Sequence, residues 1–118
     1  MDTKRAIMAF SQSEKVKSGI IWVSQALEML RGLPEPEKEG AKKVIKMKID
    51  MILQEIMLAK KVAADASWEE TERAVDQAMV MINSGVAPES TVRLTQALSW
   101  VTSIGHRSMS LLKERGLL

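Results

Sequence analysis

An unbroken apolar repeat between Ile45 and Ala63 constrains this chain more than any other feature. Ile45, Ile49, Ile52, Ile56, Ala59 and Ala63 follow one another in steps of four and three, the spacing of one face of an α-helix. A second line, Val44, Met47, Met51, Leu58 and Val62, runs beside it. At about 100° per residue the two lines merge into an apolar arc of roughly 200°, twice the stripe of a helix covered on one side. Lys42, Lys43, Lys46, Lys60 and Lys61 fall on the remaining side. The spacing predicts a helix over 36–65 that packs on two neighbours and keeps apolar surface for another subunit. Pro36 suits its first turn, where a missing N–H is no loss, and Glu35, Glu37 and Glu39 suit the positive end of its dipole.

The rest of the chain supplies partners of the same kind. Val16, Ile20, Val23, Leu27 and Leu30 make a stripe in a helix over 3–31, with Gly32 placed as a C′ glycine. Met8, Lys15, Trp22 and Met29 form a separate line at seven-residue spacing. The simpler reading of Trp22 is a second packing seam inside the bundle; the other is a contact with an oligomer partner or a ligand. Ser67-Trp68-Glu69-Glu70 has the form of a capping box, with Ser67 as N-cap and Glu70 reciprocating. It opens a helix over 68–83 that turns Thr71, Val75, Ala78 and Ile82 inward. Pro88 opens a fourth, over 88–115, with Leu94, Ala97, Leu98, Val101, Ile104, Leu111 and Leu112 facing the core. Gly105 on that face allows close helix approach. The nine methionines read most simply as core filler. No stretch alternates with period two, so no strand is expected. The fold class is all-α: a single-domain, antiparallel up-down-up-down four-helix bundle joined by short loops.

Composition narrows the function classes. The 118 residues are enough for one domain with a core of its own. There is no cysteine, which removes disulfides and thiolate metal sites and suits a cytoplasmic protein. No apolar run has the length of a membrane span, so no membrane partner is expected. His106 is the only histidine, and it stands off the apolar face without the Glu-x-x-His spacing of a carboxylate-bridged metal bundle. No nucleophile–base constellation and no Gly-rich phosphate loop is present, so no catalytic residue, metal ligand or cofactor is assigned. Glu69, Glu70, Glu72 and Asp76 are the nearest approach to the clustered carboxylates of magnesium-dependent all-α nucleotide pyrophosphohydrolases. The ordinary account of them is a solvated helix N-terminus.

The surface pattern points to binding. Besides the five lysines on one face of the second helix, Arg93, Trp100 and Arg107 form a line at seven-residue spacing on the fourth. Cations with an interleaved aromatic suit phosphate contact plus stacking. The alternative is a solvated lysine face with Trp100 closing the flank of the bundle. The expected nucleic-acid contacts are Lys42, Lys43, Lys46, Lys60, Lys61, Arg93, Trp100 and Arg107. The expected oligomer interface is Trp22, Met29, Val44, Met47, Met51 and Leu58.

Leu33-Pro34-x-x-Glu37-x-x-Gly40-Ala41, followed by Ile45-Lys46 and Ile49, Ile52 and Ile56, resembles the four helix bundle family of 23S rRNA intervening-sequence proteins. Ile104-Gly105-His106-Arg107 with Leu112-Lys113 is similar to the ending of the accessory variability determinants of diversity-generating retroelements. Met47, Glu55 and Leu58 depart from the family pattern. The resemblance implies a non-enzymatic, self-assembling bundle, in the retroelement branch a ring of five that engages a reverse transcriptase and nucleic acid. Two functions are therefore expected: an oligomeric adaptor binding nucleic acid or a protein through its basic face, or, as the alternative, a carboxylate-dependent nucleotide hydrolase.

Overall fold

The computed structural model describes residues 2–118. Four helices follow one another: α1 (Thr3–Leu30), α2 (Glu35–Val62), α3 (Ala66–Asn83) and α4 (Ser90–Glu114), the last preceded by a 3-10 turn at Ala87–Glu89. No strand occurs among the described residues. Each helix packs on its chain neighbours and α1 closes on α4, leaving α1 and α3, and α2 and α4, diagonally opposite. That is the expected all-α up-down-up-down bundle, drawn out to 52 × 21 × 19 Å. Among the described residues no helix is long and apolar enough to cross a membrane.

The expected core faces are the observed ones. Val16, Ile20, Val23, Leu27 and Leu30 of α1 are buried, as are Ile45, Ile49, Ile52, Ile56 and Ala59 of α2 and Ala63 beyond it. Thr71, Val75, Ala78 and Ile82 of α3 join them, with Leu94, Ala97, Val101, Ile104 and Leu112 of α4, whereas Leu98 and Leu111, expected on the same face, are only half-buried. Two glycines set how closely the helices approach. A Cβ on Gly105 would stand 2.8 Å from Ser13 Oγ, so α1 and α4 meet there as expected. A Cβ on Gly19 would stand 2.9 Å from Ile52 Cγ1, which makes it the equivalent point between α1 and α2.

Several local expectations are corrected. Ser67 is not the N-cap of α3: Asp65 is, its Oδ1 accepting from Ser67 N at 2.8 Å, and Glu70 pairs with Arg73 at 2.9 Å. The second helix ends at Val62 rather than 65, because the chain turns extended through Asp65 to reach that cap. Gly32 does not take a left-handed conformation. α1 ends through tight bonds from Gly32 N to Met29 O and from Leu33 N to Leu30 O, and only Gly85 and Gly116 have positive φ. The methionines are not core filler either. Met29, Met47, Met51 and Met57 are exposed and Met8, Met79, Met81 and Met109 half-buried, so none of the eight described is fully buried; Met1 lies outside the described residues.

Candidate interaction surface

The width of the α2 arc decides what lies outside the bundle. Its Ile45–Ala59 side is the buried one, with α1 and α3 as its backbone neighbours and α4 diagonally opposite. Most of the second apolar line is therefore left in solvent, while its last member, Val62, packs half-buried against the core. Val44, Met47, Met51 and Leu58 are exposed, and so are Trp22 and Met29 of α1, with exposures from 45% to 74%. Trp22 accordingly does not pack in a seam inside the bundle. All six residues expected at an oligomer interface are uncovered on the outer side of the α1/α2 pair.

Between the two helices this face sinks into a groove of about 200 Å³. Its floor is Val16, Gly19, Val23 and Ile52; its walls are Trp22 and Met51. The missing side chain of Gly19 opens the floor. Lys15, Lys48 and Glu55 stand at the rim. Glu55 is already engaged: Gln12 Nε2 donates to its Oε2 at 3.0 Å and to its backbone O at 3.1 Å, and Lys15 Nζ lies 3.5 Å from Oε2. Lys48 has no charged or hydrogen-bonding partner among the described residues.

The basic residues are arranged differently from the expected single face. Lys60 turns to α3, with Nζ 3.0 Å from Glu69 and 3.1 Å from Glu72. Hydrogen bonds to Glu69 and then Glu72 raise its pKa above the ordinary lysine value. Arg107 Nη2 donates to both Asp65 oxygens, at 3.0 and 2.9 Å, and to Ser67 Oγ at 3.1 Å. Burial alone would raise the Asp65 pKa, but the Arg107 guanidinium and the Ser67 amide together hold it below the ordinary value. Lys42 lies 3.6 Å from Glu39, and Arg93 donates to Gln96 at 3.2 Å. Lys43, Lys46 and Lys61 keep no such partner. The lysines of α2 and the Arg93, Trp100, Arg107 line of α4 flank opposite sides of α3, which carries Glu69, Glu70, Glu72 and Asp76. An acidic helix thus divides the expected basic surface into two strips.

Those carboxylates do not assemble either. Among the described residues no group of three or more acidic or histidine side chains is placed to hold a metal ion. Lys60 occupies the space between Glu69 and Glu72. Asp76 has its pKa raised, first by burial and then by the neighbouring Glu72. His106 is exposed, beside a shallow depression between α1 and α4.

What sequence reasoning missed is the corner between α2 and α3. Trp68 is completely buried there, with Nε1 donating to Ala63 O at 3.1 Å. This Trp follows directly on the Asp65–Ala66–Ser67 turn, where the sequence pattern does not mark it as buried. No protein-family model, curated protein or solved structure matches the chain.

Proposed function

We propose that this chain is a non-enzymatic helical-bundle adaptor that works by associating with itself through the outer α1/α2 face. One observation carries the reading: six large apolar side chains, from two adjacent helices, stand uncovered together. Single exposed apolar residues are ordinary, whereas a contiguous patch on a soluble bundle marks a contact surface. The core beneath is complete without them, so their apolar character is not required by the protomer's own packing. Sedimentation velocity at tens of micromolar tests it. A species heavier than one chain is expected, reverting to monomer when Met47 and Met51 are both replaced by Glu. A monomeric wild type would sink the reading.

A nucleic-acid role keeps a narrower basis. Lys43, Lys46 and Lys61 have no partners within the chain, while Lys42, Lys60 and Arg107 are engaged. Binding through three lysines per chain is expected to be weak, with a log–log salt slope of about −0.9 per phosphate contact on duplex. It gains strength only if assembly aligns several such strips. Loss of binding in the monomeric Met47/Met51 variant, with the lysines intact, is the distinguishing result.

A further inference from the structure

Resting on that self-association, we propose that the second copy docks antiparallel, α2 upon α2, about a two-fold axis at Met51. Val44, Met51 and Leu58 are seven residues apart in sequence and all exposed. Seven-residue spacing is the seam along which one helix packs on another. The three residues are also symmetric about Met51. An antiparallel pair centred there sets each Val44 against Leu58 of the second copy and Met51 against itself, giving three apolar layers. Sliding one copy along the other by a full heptad leaves only two.

Charge selects the sense of the pairing. A parallel pair would stack the same residues but turn the Lys48 edge toward the opposite, Met47–Gln54 edge of the second copy. Only the antiparallel pair places like edges together. In its register position 48 faces position 54, so Lys48, which has no partner in its own chain, stands one residue from Glu55 of the second copy. The contact is made twice, once on each side of the axis. Glu55 has one ion pair in its own chain, to Lys15, and room to share the second cation.

The groove falls on the same axis. Gly19 lies against Ile52, next to Met51, so the opening in the α1/α2 seam sits where the two copies cross. Its volume of about 200 Å³ is below the ~300–1,000 Å³ of small-molecule sites. It is the size of one or two side chains. Met51 of each copy is placed to fill it from above, with Trp22 at its edge, and methionine sulfur against an indole is a favourable contact. Because the same surface serves both copies, the contact is isologous and closes at two. It does not build the ring of five that the family resemblance implies.

The absence of cysteine makes a direct test available. Met51→Cys, treated with a short bismaleimide, is expected to give a covalent dimer. Val44→Cys alone gives little, and an equimolar mixture of Val44→Cys and Leu58→Cys gives at least about tenfold more than either variant by itself. In a second arm, Lys48→Glu and Glu55→Lys each weaken self-association about tenfold, because each homodimer then opposes like charges, and mixing the two restores it. Thermal melts of both charge variants check that the protomer is intact. If the wild type assembles but the Val44/Leu58 mixture shows no excess, or the assembly exceeds two copies, the antiparallel register is wrong while self-association stands. A monomeric wild type removes both.

Discussion

The corner between α2 and α3 and the outer face of α1 and α2 each hold an exceptional tryptophan, and they treat it in opposite ways. At the corner, Trp68 is sealed and its one polar atom satisfied, while Asp65, Ser67 and Arg107 bind one another. Every group there has a partner inside the chain. On the outer face Trp22 is 64% exposed, beside methionines in solvent and a lysine without an anion. The first region is complete; the second is unfinished. Chemical distinctiveness alone therefore does not locate function in this chain. What separates the two is whether the neighbouring residues already satisfy one another.

Substitutions that act on one region and not the other sharpen that contrast. The largest effect is expected at the corner: Trp68→Ala should destabilise the protomer by about 3–5 kcal/mol, the range for truncating a buried aromatic, read by urea denaturation. A cost near that of a surface change would mean the corner is not a closed unit. Arg107→Ala comes next, at about 1 kcal/mol, since the pair is half-exposed on the arginine side. Its effect depends on pH. The folded Asp65 pKa lies below the ordinary 3.8, so the unfolded chain binds the proton more readily and the pair's stabilisation is present above that value. It is lost as pH falls through the lower folded pKa, so the stabilities of wild type and Arg107→Ala should converge as the solution is taken well below pH 3.8. A difference unchanged between neutral and acidic pH would show that the ion pair contributes nothing. The smallest effect is expected on the outer face. Trp22→Ala should alter protomer stability by no more than about 0.5 kcal/mol, as for surface positions generally, while reducing assembly. If it unfolds the chain, Trp22 belongs to the core and the contrast collapses.

The buried faces were legible in the sequence because helical periodicity reports directly which residues share a side. Ile45, Ile49, Ile52 and Ile56 needed nothing else. The same periodicity cannot say how many neighbours a helix will have. With α4 diagonally across from α2 and not beside it, the wide apolar arc of α2 exceeds its cover, and Met47, Met51 and Met57 fall in solvent instead of the core. The capping box failed for another reason. Ser67 and Glu70 have the right spacing, but Arg107, some 42 positions from Asp65, stabilises a cap two residues earlier and takes the Ser67 hydroxyl as well. The expected basic face was broken in the same way, when Lys60 and Arg107 found carboxylates on and before α3. Periodicity was reliable for which side of a helix is buried, and unreliable for which polar groups pair.

The closure of α1 on α4 bears on how the chain reaches this structure. Every other helix contact joins sequence neighbours, so α1 with α2 and α3 with α4 can form as hairpins early and quickly. The seam between the two hairpins brings Ser13 to Gly105 and Thr3 to Arg115, the latter pair 112 positions apart. Its formation carries most of the loop-closure entropy of folding. Filling the space at Gly105 should therefore slow refolding only if that seam is already built in the transition state, and otherwise speed unfolding. The glycine that lets the last helix sit close to the first thus becomes a reporter of when the bundle closes.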